Sequence, residues 1–262
     1  MPARLNPMMR SIALLFVLAG SAAVLWLWRT PVTAPQPNSK PDPEGRVARA
    51  RERCHAILLD HFHKAGVAYP ADEIFLRAFK HEAVLEAWAR DESGHFKLVR
   101  SFPVTSSSGG PGPKRREGDR QVPEGFYQID GFNPLSSYHL SLRVNYPNAS
   151  DRILSDRQKP GFDIYIHGGD GSVGCLPLGD DGIEELYVMA SDAGNRDTIP
   201  LHIFPARMSG ASWEEFAAPF RKSALELIGF WELLQPVHDA FERTHRVPQV
   251  TVASDGAYRL RP

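Results

Sequence analysis

The chain has 262 residues, 42% of them hydrophobic and 23% charged. That length buries one substantial domain and leaves residues over for tails. A formal net charge of −1 excludes the broad basic surface that phosphate binding demands, so no nucleic-acid partner is expected.

Ser11 to Trp28 run for eighteen positions without a charge, preceded by Arg4 and Arg10 and closed by Arg29. At the helical rise this spans about 27 Å, against a hydrocarbon thickness of roughly 30 Å and a shorter usual signal-peptide core. Residues 1–29 are therefore expected to anchor the chain in the inner membrane through residues 11–28, N-terminus inside, with Trp26 and Trp28 at the far interface. The small residues Ala19 to Ala23 keep export with a cleaved signal peptide open as the alternative. Residues 30–45 carry five prolines and read as an extended linker.

Residues 46–70 read as a helix preceding the main domain: Val47, Ala50, Cys54, Ile57, Leu58 and Phe62 fall near one face, and Gly66 closes it. Cys54 belongs to that apolar face, where its role is packing; a disulfide to Cys175 would silence the second thiol. His55, His61 and His63 lack the spacing of a helical chelating pair, so no metal is expected. Ile74 to Lys80, Ala83 to Arg90 and Phe96 to Val104 read as three strands, the last two joined by a turn at Asp91-Glu-Ser-Gly94. A Ser/Gly-rich stretch, 106–112, leads into Lys114, Arg115, Arg116 and Arg120. This basic cluster is either a solvated loop or an electropositive rim for an anionic substrate. Val122 to Ile129 supplies a turn and a strand, and Tyr138 to Val144 another strand, with His139 read as a surface residue.

Chemistry concentrates in Phe162 to Leu178. Phe162, Ile164 and Ile166 alternate with Asp163, Tyr165 and His167, so His167 ends a strand with one buried face. Gly168, Gly169, Gly171 and Gly174 then turn the chain toward Cys175. A cysteine attacks only as thiolate, and a strand-end imidazole returned to it by a tight turn serves as base. The third group, which holds the imidazole tautomer, is either the carbonyl of Gly168 or the carboxylate of Asp170. The amides of Gly174 and Cys175 would form an oxyanion hole, worth on the order of 3 kcal/mol per donor. Each feature has a plainer reading alone: a small buried cysteine, a capped histidine, glycines that only turn. Together, His-Gly-x-x-x-Ser-x-Gly-Cys after an alternating strand points to a catalytic thiol. An activated thiol would alkylate well below the pH of a free one; an inert thiol in a silent binding module would not.

Asp180 to Ala190 reads as an acid-started amphipathic helix packed behind the cysteine loop, and Thr198 to Phe204 as a closing strand. Ser212 to Thr244 carries aromatic and aliphatic residues at helical intervals, suggesting two or three helices broken at Pro219, Gly229 and Pro236.

The run Ile166-His-Gly…Ser172-Val-Gly-Cys175 resembles the active-site signature of the L,D-transpeptidase catalytic domain, the YkuD domain, and its short spacing resembles the YafK-type branch. Gly112-Pro-Lys…Glu117-Gly-Asp-Arg-Gln-Val-Pro-Glu-Gly-Phe-Tyr127, Tyr138-His-Leu-Ser-Leu142, Tyr146-Pro-Asn148 and Pro200-Leu-His-Ile-Phe-Pro205 resemble further blocks of that branch. The similarity runs from about Asp72 to about Arg207. It implies an α+β fold, with a mixed, β-rich catalytic domain over residues 71–207 and a C-terminal helical extension over 208–262. It also implies Cys175, His167 and Gly168 as the catalytic group, Gly174 and Cys175 as oxyanion donors, and Arg120, Tyr138 and Ser172 as substrate contacts, without metal or organic cofactor. Arg120 stands out there because it lies inside a matching block and a guanidinium binds a carboxylate bidentately.

The implied substrate is a peptidoglycan stem peptide in the periplasm, attacked at the L-centre of diaminopimelate. The expectation leans to hydrolytic release of peptidoglycan-bound lipoprotein, with crosslinking or protein attachment by transpeptidation as the alternative and a non-catalytic peptidoglycan-binding module as the second. Two departures stand out. Pro177 replaces an arginine that many members carry two residues after the cysteine, and Asp170 stands where some members have a second cysteine. Cysteine peptidases of the NlpC/P60 kind reverse the order of the two residues, and sortases place the histidine far upstream.

Overall fold

The computed structural model describes residues 42–261. The expected membrane segment at 11–28 and all of the linker before Asp42 lie outside the described residues. No helix among the described residues is long and apolar enough to cross a membrane.

Helix α1 (Pro43–Ala65) begins where the Asp42 carboxylate accepts the Gly45 N–H at 2.7 Å, and ends on Gly66 in the left-handed conformation. Its buried stripe is Ala50, Cys54, Leu58 and Phe62, four positions apart, which is the spacing of one helix face. Strands β1 (Ile74–Phe79), β2 (Val84–Arg90) and β3 (Phe96–Pro103) form an antiparallel meander whose second turn is closed by Gly94 N–H to Asp91 O. Strand β4 (Gly125–Asn133), β5 (Ser141–Val144), the short helix α2 (Ala149–Leu154), β6 (Ile164–His167) and β7 (Leu176–Pro177) follow. Helix α3 (Gly179–Asp192), a single 3-10 turn (Arg196–Thr198) and β8 (Ile199–Phe204) complete the sheet.

The sheet has eight strands in the order β3-β2-β1-β8-β4-β5-β6-β7. Pairing is antiparallel except where β1 meets β8 and β6 meets β7. The parallel β1–β8 contact sits in the middle, and every residue of β1 is buried, as happens when both faces of a strand are covered. One face carries α1 and α3, locked by Arg51 to Asp192 and Arg53 to Glu184. The other is covered by the C-terminal helices α4 (Gly210–Ala217), α5 (Phe220–Ser223) and α6 (Leu225–Thr244), and a small hairpin, β9 (Val250–Val252) with β10 (Tyr258–Leu260), ends the chain. This is the expected α+β class with a mixed sheet.

Two details differ from the expectation. Helix α6 runs unbroken through Gly229 and Pro236; the break falls earlier, at Ala224, whose backbone (φ −149°, ψ 62°) leaves the helical region. Pro236 removes one N–H and so strands the Glu232 carbonyl, but Trp231, Leu234, Val237 and Phe241 bury one face across it, and tertiary packing outweighs local propensity. The hairpin and helix α2 carried no periodicity long enough to read, α2 being specified by a capping box between Asn148 and Asp151.

Candidate active site

Strand β6 is the second-last strand of the sheet, and β7 is a two-residue edge beside it. Their register pairs Ile166 with Leu176 and His167 with Pro177, which places Cys175 beside Tyr165, whose N–H donates to Sγ at 3.4 Å. Residues two apart share a face of a strand, so Cys175 stands on the face of Tyr165 and His167. Their backbones are then on the order of 8 Å apart, a gap that a thiol and an imidazole leaning together can span. Among the described residues no hydrogen bond joins sulfur to ring, and contacts between catalytic groups commonly close only with substrate present. Both cysteines are free, and Cys54 is buried in the stripe of α1.

The imidazole is tightly placed. Its Nδ1 lies 2.6 Å from the carbonyl oxygen of Gly168, a geometry that leaves the proton on Nδ1 and the lone pair on Nε2. The Gly168 N–H in turn donates to Tyr138 O at 3.0 Å. No other residue fits there: a Cβ on Gly168 would stand 2.6 Å from Asp180 Oδ1 and 2.7 Å from Tyr138 O. The Tyr138 ring lies over the imidazole at 4.6 Å between centroids, leaving His167 only 3% exposed while Tyr138 itself is 52% exposed. Asp170 is exposed and only its backbone oxygen is engaged, by the Ser106 hydroxyl; its carboxylate makes no hydrogen bond to the ring.

Burial holds the His167 imidazole below its ordinary value, partly offset by the bond to Gly168. Burial likewise pushes the Cys175 thiol up, opposed by the Tyr165 N–H and the charge of Lys114. At rest the pair is therefore neutral thiol and neutral imidazole. These surroundings suit proton transfer to Nε2 during attack, as with a serine nucleophile, in place of a standing ion pair.

The proposed oxyanion amides divide. Gly174, at φ 90° with Gln121 O only 3.0 Å from where its Cβ would be, gives its N–H to the Ser108 hydroxyl at 2.7 Å. It is thus occupied where a bare donor was expected. The Cys175 N–H takes part in none of the turn and loop hydrogen bonds of the described residues. Ser172 turns inward, donating to Cys175 O at 2.7 Å, so its hydroxyl braces the turn.

The basic cluster also divides. Lys114 is buried and paired with Asp119 at 2.6 Å, and Arg115 pairs with Asp151 at 3.2 Å. Arg116 and Arg120 are exposed and form no ion pair among the described residues. Hydrogen bonds from Glu117 N–H to Lys159 O and from Asp156 N–H to Arg115 O bring the exposed Arg157 and Lys159 alongside. Arg120 adopts φ 60°, uncommon for any residue other than glycine, and its carbonyl is held by Ser108 Oγ at 2.8 Å. Ser108 thus links the basic turn to the residue before Cys175. Nothing in the composition of residues 106–112 marks it, since only folding brings Gly174 to it. His139, expected at the surface, is half-buried against Glu184.

Residues 80–200 match the family model of the YkuD L,D-transpeptidase catalytic domain. The chain is 31% identical over 185 residues to YafK of Escherichia coli (strain K12), which carries an L,D-transpeptidase name, covering 69% of this chain and 71% of that protein. Among solved structures, a variant of the helical cell shape determining protein Pgp2 from Campylobacter jejuni aligns with TM-score 0.44 at 20% identity, over 76% of this chain and 67% of that one. Bd1075 of Bdellovibrio bacteriovorus aligns with TM-score 0.40 at 18% identity, over 71% and 79%.

Proposed function

Since the chain belongs to the L,D-transpeptidase (YkuD) catalytic-domain family, we propose that it is a cysteine-dependent acyl-transfer enzyme of the periplasm, acting on peptidoglycan stem peptides. The observation that supports this is the shared face of β6 and β7, which carries both Cys175 and His167, with Nδ1 occupied by Gly168 O.

In this mechanism His167 Nε2 takes the thiol proton as Sγ attacks the carbonyl at the L-centre of diaminopimelate. The oxyanion forms against the Cys175 N–H. As the tetrahedral species collapses, the protonated imidazole returns its proton to the leaving amine, leaving a thioester on Cys175. Water then regenerates the thiol with release of the acid, or a second amine does so with formation of a new amide. The exposed Arg116, Arg120, Arg157 and Lys159 give the rim the charge to receive stem-peptide carboxylates, a role open because Pro177 stands where many relatives have arginine. Phe162 and Val173, 76% and 67% exposed, lie just before β6 and in the loop leading to Cys175, and offer apolar surface to substrate. The residues need neither metal nor organic cofactor for these steps.

Hydrolytic release of lipoprotein bound through a lysine side chain is the preferred outcome, on the resemblance to the YafK-type branch; transpeptidation shares the same thioester. Residues 11–28, as an inner-membrane anchor or an exported leader, would put the site on the periplasmic side. Incubating the protein with sacculi bearing bound lipoprotein, then analysing released peptides and muropeptides by mass spectrometry, separates the two. Loss of the lipoprotein-derived peptide marks hydrolysis, and new direct diaminopimelyl crosslinks mark transfer. Cys175→Ala abolishes both products with the fold retained; turnover persisting in that variant removes the nucleophile.

A further inference from the structure

Helix α1 lies outside the residues matched by the family model, yet two of its arginines reach the segment that covers the imidazole. Arg46 Nη1 donates to His139 O at 2.6 Å and to Ser136 O at 3.3 Å. Arg53 forks onto Glu184 of α3, with Nε to Oε2 at 2.8 Å and Nη2 against Oε1. The same Oε1 meets His139 Nε2. Glu184 is 4% exposed, so this carboxylate is buried with two cationic or proton-donating partners, one on α1 and one on the loop before β5.

His139 needs that hold. Its φ is 69°, a left-handed conformation that an imidazole-bearing residue adopts at a cost unless its surroundings over-determine it. The reversal at His139 decides where Tyr138 goes. The Tyr138 ring lies against Gly169 and Gly171: a Cβ on Gly169 would stand 3.5 Å from Tyr138 Cδ1 and one on Gly171 3.9 Å from Cε1, ordinary contact distances. That ring caps His167, and the Tyr138 carbonyl takes the Gly168 N–H. One residue therefore sets the cover of the imidazole and holds the N–H of Gly168, whose own carbonyl, in the next peptide, orients Nδ1.

We propose that His139, clamped by Glu184 and by Arg46 and Arg53 of helix α1, is a positioning residue that fixes Tyr138 over His167. The α1 helix is then a working part of the active site through two side-chain contacts, and not only a cover for the sheet. This rests on the reading of His167 as the base. A displaced Tyr138 would let the imidazole tilt and admit water beside it, and small misplacements of a reacting group are costly in rate.

The test uses the full-length chain with His139→Asn, Glu184→Gln and Arg53→Lys. Asparagine tolerates the left-handed backbone, so His139→Asn removes the clamp without adding strain. Three quantities are read: the nuclear Overhauser contact between the Tyr138 and His167 rings, the melting temperature, and kcat and KM on a synthetic stem peptide with lysine amide-linked at the diaminopimelyl L-centre. The expected result for His139→Asn and Glu184→Gln is loss of the ring contact, about a tenfold fall in kcat and less than a twofold change in KM. Arg53→Lys keeps a cation on Glu184 and retains most of the rate. Wild-type kcat and an intact ring contact in His139→Asn or Glu184→Gln overturn the proposal, and a fall in melting temperature alone marks a merely structural role. Should the wild type turn over no stem peptide, the functional reading fails by itself, and the ring contact still decides whether His139 places Tyr138.

Discussion

Two histidines of this protein sit in neighbouring regions of one sheet and look alike by area. His167 is 3% exposed and His202 is 4% exposed, each on a strand, each held neutral by burial. What covers them differs. His167 lies near the sheet edge under one mobile-sized group, the half-exposed Tyr138 ring, with a glycine turn and a thiol on its own face. His202 lies on the central strand β8, paired in register with the buried Arg77, boxed by Phe75, Phe126 and Phe204 beneath helix α6. Its Nδ1 has no partner among the described residues, whereas that of His167 has a carbonyl at 2.6 Å. Burial fraction is therefore a poor guide to function here. On the proposed reading, what separates the reactive imidazole from the structural one is what covers it: the half-exposed Tyr138 ring, or a layer of the fold.

The aromatic seam around Arg77 shows what the second region is for. The guanidinium lies 4.6 Å from the Phe241 ring and 4.9 Å from the Phe79 ring, and pairs with Glu242 of α6 at 2.7 Å. Such contacts between a desolvated cation and aromatic faces fasten the C-terminal helix to the sheet. Burial pulls the Arg77 pKa down, opposed by Glu242 and Glu86.

The sharpest way to break the comparison is to exchange each imidazole for an amide. His167→Gln should lower turnover of peptidoglycan by about 10³-fold, the scale of a lost general base, with the melting temperature close to wild type. His202→Gln should leave turnover within about twofold. Equal losses in both, measured on the same sacculi, would collapse the distinction. Next in size is Gly168→Ala. Its methyl meets Asp180 Oδ1 and the Tyr138 carbonyl, so one of them must retreat, costing about 1–3 kcal/mol of stability along with the orientation of Nδ1. Chemical denaturation and initial rates should fall together.

The pH response sharpens the contrast further. The unfolded His202 takes up a proton near pH 6.5, and the folded ring refuses it until about pH 3. Stability is thus fully present above the ordinary imidazole value and is lost as pH falls through that window, by roughly 2 kcal/mol at pH 5 relative to pH 7. His202→Gln should flatten that slope in urea titrations. The acid limb of activity follows His167 instead, and lies below pH 6.5 because burial lowers that group; an acid limb at or above that value would contradict a buried neutral base.

Much of this site was readable in the chain itself. The alternation from Phe162 to His167 gave the strand and its buried face, since side chains on a strand change sides at every residue. The glycines after it marked a turn, and the apolar stripe of α1 marked a helix, because both patterns are written in local spacing. What escaped was everything set by distant segments meeting. Ser108 takes the Gly174 N–H across 66 positions of sequence and Glu184 takes His139 across 45, and spacing says nothing about contacts of that span. Sequence spacing suggests a base near the thiol, while burial, which depends on the packing of the whole domain, pushes that thiol up. Pro236 was read as a helix break because proline costs a hydrogen bond locally; the buried face of Trp231, Leu234 and Phe241 more than offsets that cost. Local periodicity and residue chemistry thus determined which groups this protein has for reaction and which elements carry them, and tertiary packing alone decided which amides stay free, which charges are buried, and which histidine a substrate can reach.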